Sequence, residues 1–441
     1  MKDAKEYYTE VFLLMQKHHK WFQRSIPLIA SENIPSLAVQ EALISDFGNR
    51  YAEGWPGERV YAGCTYIDQV ELICIELAKR LFKAEFVDVR PISGVVANLV
   101  AYTAFTEPGD YMLALSIPSG GHISTGKKTL GGTAGAVHGL NVEYIPLDEK
   151  EMNINVQETI NKTNALVKEG HSPKIVMFGG SVLLFPHPVR ELVGFFHDLG
   201  AKVVYDAAHV AGLIAGRIFQ DPLSEGADAM TLSTHKTLPG PQHGMIISWE
   251  KYAEAIKKAT FPGLVSNHHL HSMAGVAVTL AEMMEFGKEY AEQIVRNAKA
   301  LGQALYERGF SVLAEHKDFT ESHVLLIDIT KQGDGGTIEK QLEKAGIIIN
   351  RNLLPWDIRE GRHFMHPGGI RIGTSEVTRL GMKERDMPEI ADFIKRVVLE
   401  KEPPEKVGKD VSEFRKDFQT IHYCFEKAVK AHSYIKLLSH E

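Results

Sequence analysis

Residues Met230–Met245 read MTLSTHKTLPGPQHGM. A short apolar, β-branched run breaks at Ser233, Thr234 and His235, delivers Lys236, and passes into the turn-forming Leu-Pro-Gly-Pro. A lysine at the end of a buried strand, with such a bend behind it, is held partly desolvated, and its ammonium pKa falls toward neutrality. The free amine is then a nucleophile that condenses with carbonyl groups. Most lysines are simply solvated, so the neighbours of Lys236 must decide.

The first neighbour is in AKVVYDAAHVAG, where Ala201 to Tyr205 reads as a buried strand with Asp206 at its carboxyl end. Ligands of open α/β sheets bind at that end, so Asp206 and Lys236 face one crevice. The competing reading of Asp206 is a helix N-cap, because Ala-Ala-His-Val follows it. Taken with Lys236, the acid fits pyridoxal 5'-phosphate: a lysine for the aldehyde and a buried carboxylate for the ring nitrogen. His209 falls on the same side and is read as a partner of the cofactor's ring substituents. His235 and Ser181, the latter also at the carboxyl end of a strand, are placed in the same cofactor pocket.

Upstream, Val87 to Pro91 is strand-like and leads through Ile92-Ser93-Gly94 into a helix from Val95 to Phe105. A strand, a small-residue bend and a helix N-terminus make an anion site, so Ser93, Gly94 and Val95 are read as the phosphate cradle. In the strand GIRIG, the fixed guanidinium of Arg371 is suited to bind an amino-acid carboxylate through two parallel hydrogen bonds, with an ordinary salt bridge as the alternative. In the glycine-rich loop Tyr51 to Gly63, Glu53 is the candidate proton shuttle, with a solvated loop acid as the alternative. Thr234 and Tyr61 are read as aids in positioning the reacting groups.

The stretches STHKTLPGP, YDAAHVAGLIAG, LIASENIPS, YAEGWPGERVYAGCTYID and GIRIGTSEVTR stand between Leu28 and Arg379. In that set and spacing the chain resembles the serine hydroxymethyltransferase family of fold-type-I pyridoxal phosphate enzymes. The runs at Phe185 and Ser266 resemble its archaeal branch. The resemblance implies an α/β fold with a mostly parallel central sheet and a smaller C-terminal α+β domain. It divides the chain into an N-terminal arm (1–50), a large cofactor-binding domain (51–275), and a linking helix with the small domain (276–441). It implies that Ser31 contacts the substrate carboxylate, that His122 stacks on the cofactor ring, and that Asn352 and Glu53 contact a pterin. It further implies a homodimer, with Tyr51, Glu53 and Gly263 reaching the neighbouring subunit's site.

Some positions depart from the family pattern. Val95 stands where a hydroxyl is common, Val60 where a tyrosine is common, Gln242-His243 where Arg-Gly is common, and Ser119 where a histidine is common. These leave the expected cofactor unchanged and bear on the one-carbon acceptor, tetrahydrofolate or tetrahydromethanopterin. They also keep open a pterin-independent threonine-type aldolase or transaldolase. A non-catalytic binding protein is the reading from another class, and Lys236, Asp206 and Arg371 together argue against it.

Composition is that of a globular protein and not of a disordered one: 44% of the 441 residues are hydrophobic and 24% charged. A net charge of −7 leaves no basic footprint for nucleic acid. No apolar run is long enough to span a bilayer or to form a signal-peptide core. Three cysteines and no paired metal-ligand spacing indicate reduced thiols, a cytoplasmic setting and no structural metal. A helix is expected over Ala4 to Phe22, and one long helix or a bent pair from Met273 to Arg308, with Glu282, Glu285 and Lys288 on a solvated face. Ser31 and Glu32 are read as caps of the helix that begins near Pro35, and the tail beyond Pro403 as helical.

Overall fold

The computed structural model describes residues 2–437. Its central sheet has seven strands: β1 (Phe86–Asp88), β2 (Tyr111–Ala114), β3 (Asn141–Tyr144), β4 (Pro173–Gly179), β5 (Lys202–Asp206), β6 (Ala229–Ser233) and β7 (Gly244–Ser248). Across the sheet they run 1-7-6-5-4-2-3. Strand β7 is antiparallel to both its neighbours, and the other pairings are parallel. The middle strands are near-continuous apolar runs, as burial of both sheet faces requires. Two hydrophobic clusters cover those faces, one carrying Val176, Phe178, Val203 and Tyr205, the other Met177, Val204 and Ala229.

A second, four-stranded antiparallel sheet forms the smaller body: β8 (Ser311–Val312), β9 (Val324–Asp328), β10 (Asn350–Asn352) and β11 (Gly369–Gly373), ordered 8-9-11-10. Its core takes Ile327, Ile338, Ile370, Ile372 and Ile394, together with Ile26 and Leu28 from the N-terminal arm. The arm is tied there by parallel pairing of Ile26–Pro27 with Ile347–Ile348.

One unbroken helix of 38 residues, Leu270–Glu307, contributes to both cores: Met273 to Ile294 pack in the large one, Leu301 to Leu305 in the small one. Glu282 on this helix is buried, not solvated as the charge pattern had suggested. It pairs with the buried Arg379 at 2.9 Å. Apolar residues elsewhere on the helix gave the right periodicity, and the acid is inside because a buried guanidinium awaits it.

The second helix of the arm is Leu37–Leu43, and its cap is Ser36, whose hydroxyl accepts from Val39 N–H at 3.2 Å. Neither Ser31 nor Glu32 caps it. The tail is helical over Pro404–Phe414, and residues 421–437 carry no helix. Among the described residues, no helix is long and apolar enough to cross a membrane.

Candidate active site

The carboxyl ends of β4, β5 and β6 open on one side of the sheet, where Asp206 ends β5 and Ser181 and Lys236 follow β4 and β6. They line a cavity of about 190 Å³, with Ser93, Gly94, Val95, Asn98, His122, His209 and His235. Two glycine pairs make this convergence possible. Gly120 and Gly180 take φ of +97° and +138°, and a Cβ on Gly120, Gly121 or Gly180 would collide with the backbone of Val182, Leu115 or Gly120. Only bare backbone passes so closely, which brings His122 and Ser181 to the same wall.

Lys236 is 8% exposed. Burial pushes its ammonium down to about 8, Asp206 pulls it partly back up, and Arg371 lowers it again. That is the tuning a nucleophilic amine requires. The turn behind it is closed by Thr234, whose hydroxyl donates to the Pro241 carbonyl at 2.6 Å, and Asn33 donates its amide to the Lys236 carbonyl. Thr234 thus holds the lysine turn and does not line the cavity.

Asp206 is buried, and both its oxygens accept: Oδ1 from Ala208 N–H at 3.0 Å, Oδ2 from the Asn98 amide at 2.9 Å. The nearby helix begins only at Ala211, with Val210 before it, so Asp206 is not its cap. Ser93 caps the helix Gly94–Phe105, accepting from Val96 N–H at 3.2 Å. A Cβ on Gly94 would strike Ser233 Oγ, and one on Gly244 would strike Ser93 O, so the helix N-terminus meets the sheet backbone closely.

His122, His209 and His235 are all held below the usual imidazole range, chiefly by burial; for His235 the value is about 4. Neutral rings suit an apolar wall. His209 Nδ1 lies 3.4 Å from His323 Nε2, which in turn contacts the Ala30 carbonyl at 3.0 Å.

Arg371 on β11 reaches across from the smaller body. Its Nη1 donates to the Ser181 carbonyl at 2.8 Å and its Nε to Asn350 Oδ1 at 3.1 Å. It lines a second, larger cavity of about 970 Å³ that shares His122 and Ser181 with the first. The larger cavity has apolar walls including Ile117, Ile123, Leu130, Leu353 and Phe364, and Asn352 stands in it.

Other expected residues lie elsewhere. Tyr51 and Tyr61 pack against each other with ring centroids 4.8 Å apart on an exposed loop, and Glu53 on the same loop is half-buried. Neither these three nor Gly263 and Ser31 line the two cavities of their own chain. Val60 is exposed, and His243 is fully buried with Nε2 2.7 Å from the Val89 carbonyl, so both substitutions leave the cavity walls untouched. Asn98, Ser124, Thr231 and His323 were not anticipated. Asn98 carried a signal all the same, as the lone amide in the apolar helix GVVANLVAYTAF.

An amine near neutrality, a buried acid opposite it, a flat imidazole and a helix N-terminus are complementary to an aldehyde, a ring nitrogen, an aromatic face and a phosphate. Fold and site together define a pyridoxal-phosphate-dependent enzyme of fold type I. The serine hydroxymethyltransferase family's profile matches residues 4–394. Proteins named serine hydroxymethyltransferase from Nitrosopumilus maritimus and Korarchaeum cryptofilum are 60% and 57% identical to the chain, covering 98% and 96% of it and 98% of each relative. One from Methanocaldococcus jannaschii is 54% identical over 93% of the chain and 94% of its own length. The chain belongs to the serine hydroxymethyltransferase family.

Proposed function

We propose that the chain interconverts serine and glycine, exchanging the hydroxymethyl carbon with a reduced pterin, tetrahydrofolate or tetrahydromethanopterin, as a cytoplasmic homodimer with shared sites. The observation that carries this reading is the convergence of Lys236 and Asp206, in a small cavity, with Arg371, in the wide apolar cavity that shares His122 and Ser181 with it.

Pyridoxal phosphate, when bound, supplies the electron-poor ring that accepts the electrons of a breaking Cα bond. The chain's residues do the rest. Ser93 and the backbone N–H groups after it would hold the phosphate, with no hydroxyl from Val95. Asp206 would pair with the ring nitrogen, while His122, His209 and His235 line the pocket. Lys236 is the amine that would hold the aldehyde group, and its Nζ holds a proton when free. Arg371, already oriented by Asn350 and the Ser181 carbonyl, binds the substrate carboxylate. The larger cavity receives the flat carrier beside Asn352. Glu53 of one subunit moves the hydroxyl proton in the other's site, with Tyr51, Tyr61 and Gly263 brought in by the same subunit. Support for that division comes from the exposure of Tyr51 and Tyr61 on the surface of their own chain. The two hydrophobic cores support a large and a small domain beyond the arm (1–50), divided as 51–275 and 276–441, with the first half of the helix Leu270–Glu307 packed in the large core.

The test is an absorbance spectrum of the cofactor-loaded protein with glycine, alone and with each reduced pterin. A long-wavelength band that grows with one pterin supports the reading and identifies the carrier. A cofactor band that responds to glycine and to neither pterin overturns the carrier assignment.

A further inference from the structure

The polar groups under and beside the cofactor cavity meet at one side chain. Asn98 is 2% exposed and sits one turn into the helix Gly94–Phe105. Its Nδ2 donates to Asp206 Oδ2 at 2.9 Å and to Ser124 Oγ at 2.8 Å, and its Oδ1 accepts from the Thr231 hydroxyl at 2.6 Å. All three partners are themselves buried. The opposite amide orientation would set Oδ1 against a carboxylate oxygen, acceptor against acceptor, so the direction of every bond follows.

The chain of donors continues to His122. A backbone N–H only donates, and Ser124 N lies 3.1 Å from His122 Nδ1. That nitrogen is therefore an acceptor, and the neutral ring carries its proton on Nε2. Because Ser124 Oγ receives the Asn98 amide, its own hydrogen is free for Nδ1, at 2.8 Å. One amide on a helix thus joins the end of β5, the middle of β6 and the loop that carries His122.

We propose that Asn98 is a positioning residue for the reaction, orienting the carboxylate of Asp206 and, through Ser124, the imidazole of His122 as one unit. It rests on the cofactor site proposed above. The charged groups facing this unit are Asp206, Lys236 and Arg371, with His209 beside them.

Removing the donor and removing the shape are separable. Asn98→Ala deletes every bond, whereas Asn98→Asp keeps the shape and turns a donor into an acceptor against Asp206. Two carboxylates at that distance share one proton only at lower pH. The experiment titrates the cofactor into the full-length apoprotein of the wild type and both variants at pH 6 and pH 8, with thermal melting of each apoprotein alongside. The Asn98→Asp apoprotein should bind on the order of tenfold more weakly at pH 8 than at pH 6. Wild type and Asn98→Ala should change less than threefold between the two. In the loaded Asn98→Ala enzyme, kcat should fall far more than the apparent KM for serine rises. Cofactor affinity and kcat equal to wild type in both variants, at both pH values, would overturn the proposal. Asp206→Asn serves as the control on the underlying reading: if it binds cofactor as wild type does, the acid is wrongly assigned, whatever Asn98 does.

Discussion

Lys236 and Glu376 are two buried titratable groups whose environments push them in useful and costly directions. The Lys236 amine, near 8 because of burial, should react as a free base just above neutral pH. Reductive trapping of the apoprotein with a simple aldehyde should therefore label Lys236 increasingly from pH 7 to pH 9, with the midpoint near 8, and Lys236→Arg should remove that label. Labelling that rises only above pH 10 would show an ordinary solvated lysine. Glu376 is raised to about 8 by burial and by Glu32, against the pull of Arg415, and His432 Nε2 stands 3.4 Å from it. Between its unfolded value of 4.5 and about 8, the folded chain holds a proton that the unfolded chain has released. Stability from this group accordingly falls as pH rises through that window. Glu376→Gln should raise the melting temperature at pH 8.5 by at least about 2 °C more than at pH 5. Equal changes at the two pH values would refute the shift.

The loop that carries Tyr51, Glu53 and Tyr61 is anchored by a buried ion cluster. Arg59 bonds Glu71, Asp68 and the carbonyls of Ala52 and Gly54, and Arg90 bonds Glu71 and Asp88 while its guanidinium lies 3.5 Å from the Trp55 ring centroid. Burial would raise the Glu71 carboxyl, but His268, Arg90 and Arg59 together hold it down at about 2. Glu71→Gln leaves two guanidinium groups without their shared anion, a change worth roughly 3–5 kcal/mol in denaturant unfolding. The same variant should open the loop to proteolysis ahead of the rest of the chain. A loss under 1 kcal/mol would mean that the cluster does not fix the loop.

This cluster was invisible in the sequence, whereas the elements around it were legible. The helices Ala4–Phe22 and Gly94–Phe105 and the strands Lys202–Asp206 and Gly369–Gly373 lie where the sequence pattern puts them. So do Asp206 and Lys236, at strand ends. Glu71 and Glu282 were not legible, because an acid reads as solvent-facing until its distant guanidinium partner is known. Asn98 stood out as the lone amide of an apolar helix, but its role was not legible, because its partners Ser124, Asp206 and Thr231 come from a loop and two strands far along the chain.

At the scale of the whole molecule, the division of site residues between cavity and exposed loop makes a sharp prediction. Mixing the inactive Lys236→Ala and Glu53→Gln proteins under conditions that exchange subunits should restore activity. A hybrid dimer then holds one complete site and one doubly defective one, giving roughly a quarter of wild-type activity in a statistical mixture. If Glu53 served its own chain, no hybrid would be active. The first helix leaves Tyr7, Val11, Leu14 and Trp21 exposed.

The helix Leu270–Glu307 runs about 57 Å at 1.5 Å per residue, and each half is a structural member of a different core. Its second half is stitched to the smaller body by Asn297, which donates to Thr378 Oγ1 and the Met382 carbonyl, and by Thr374, which donates to the Ile294 carbonyl. Neither core can lose its order while that rod stays folded in the other without exposing a buried face of it. The chain should therefore melt in the calorimeter as a single cooperative transition, with the calorimetric and van't Hoff enthalpies in agreement, despite having two sheets.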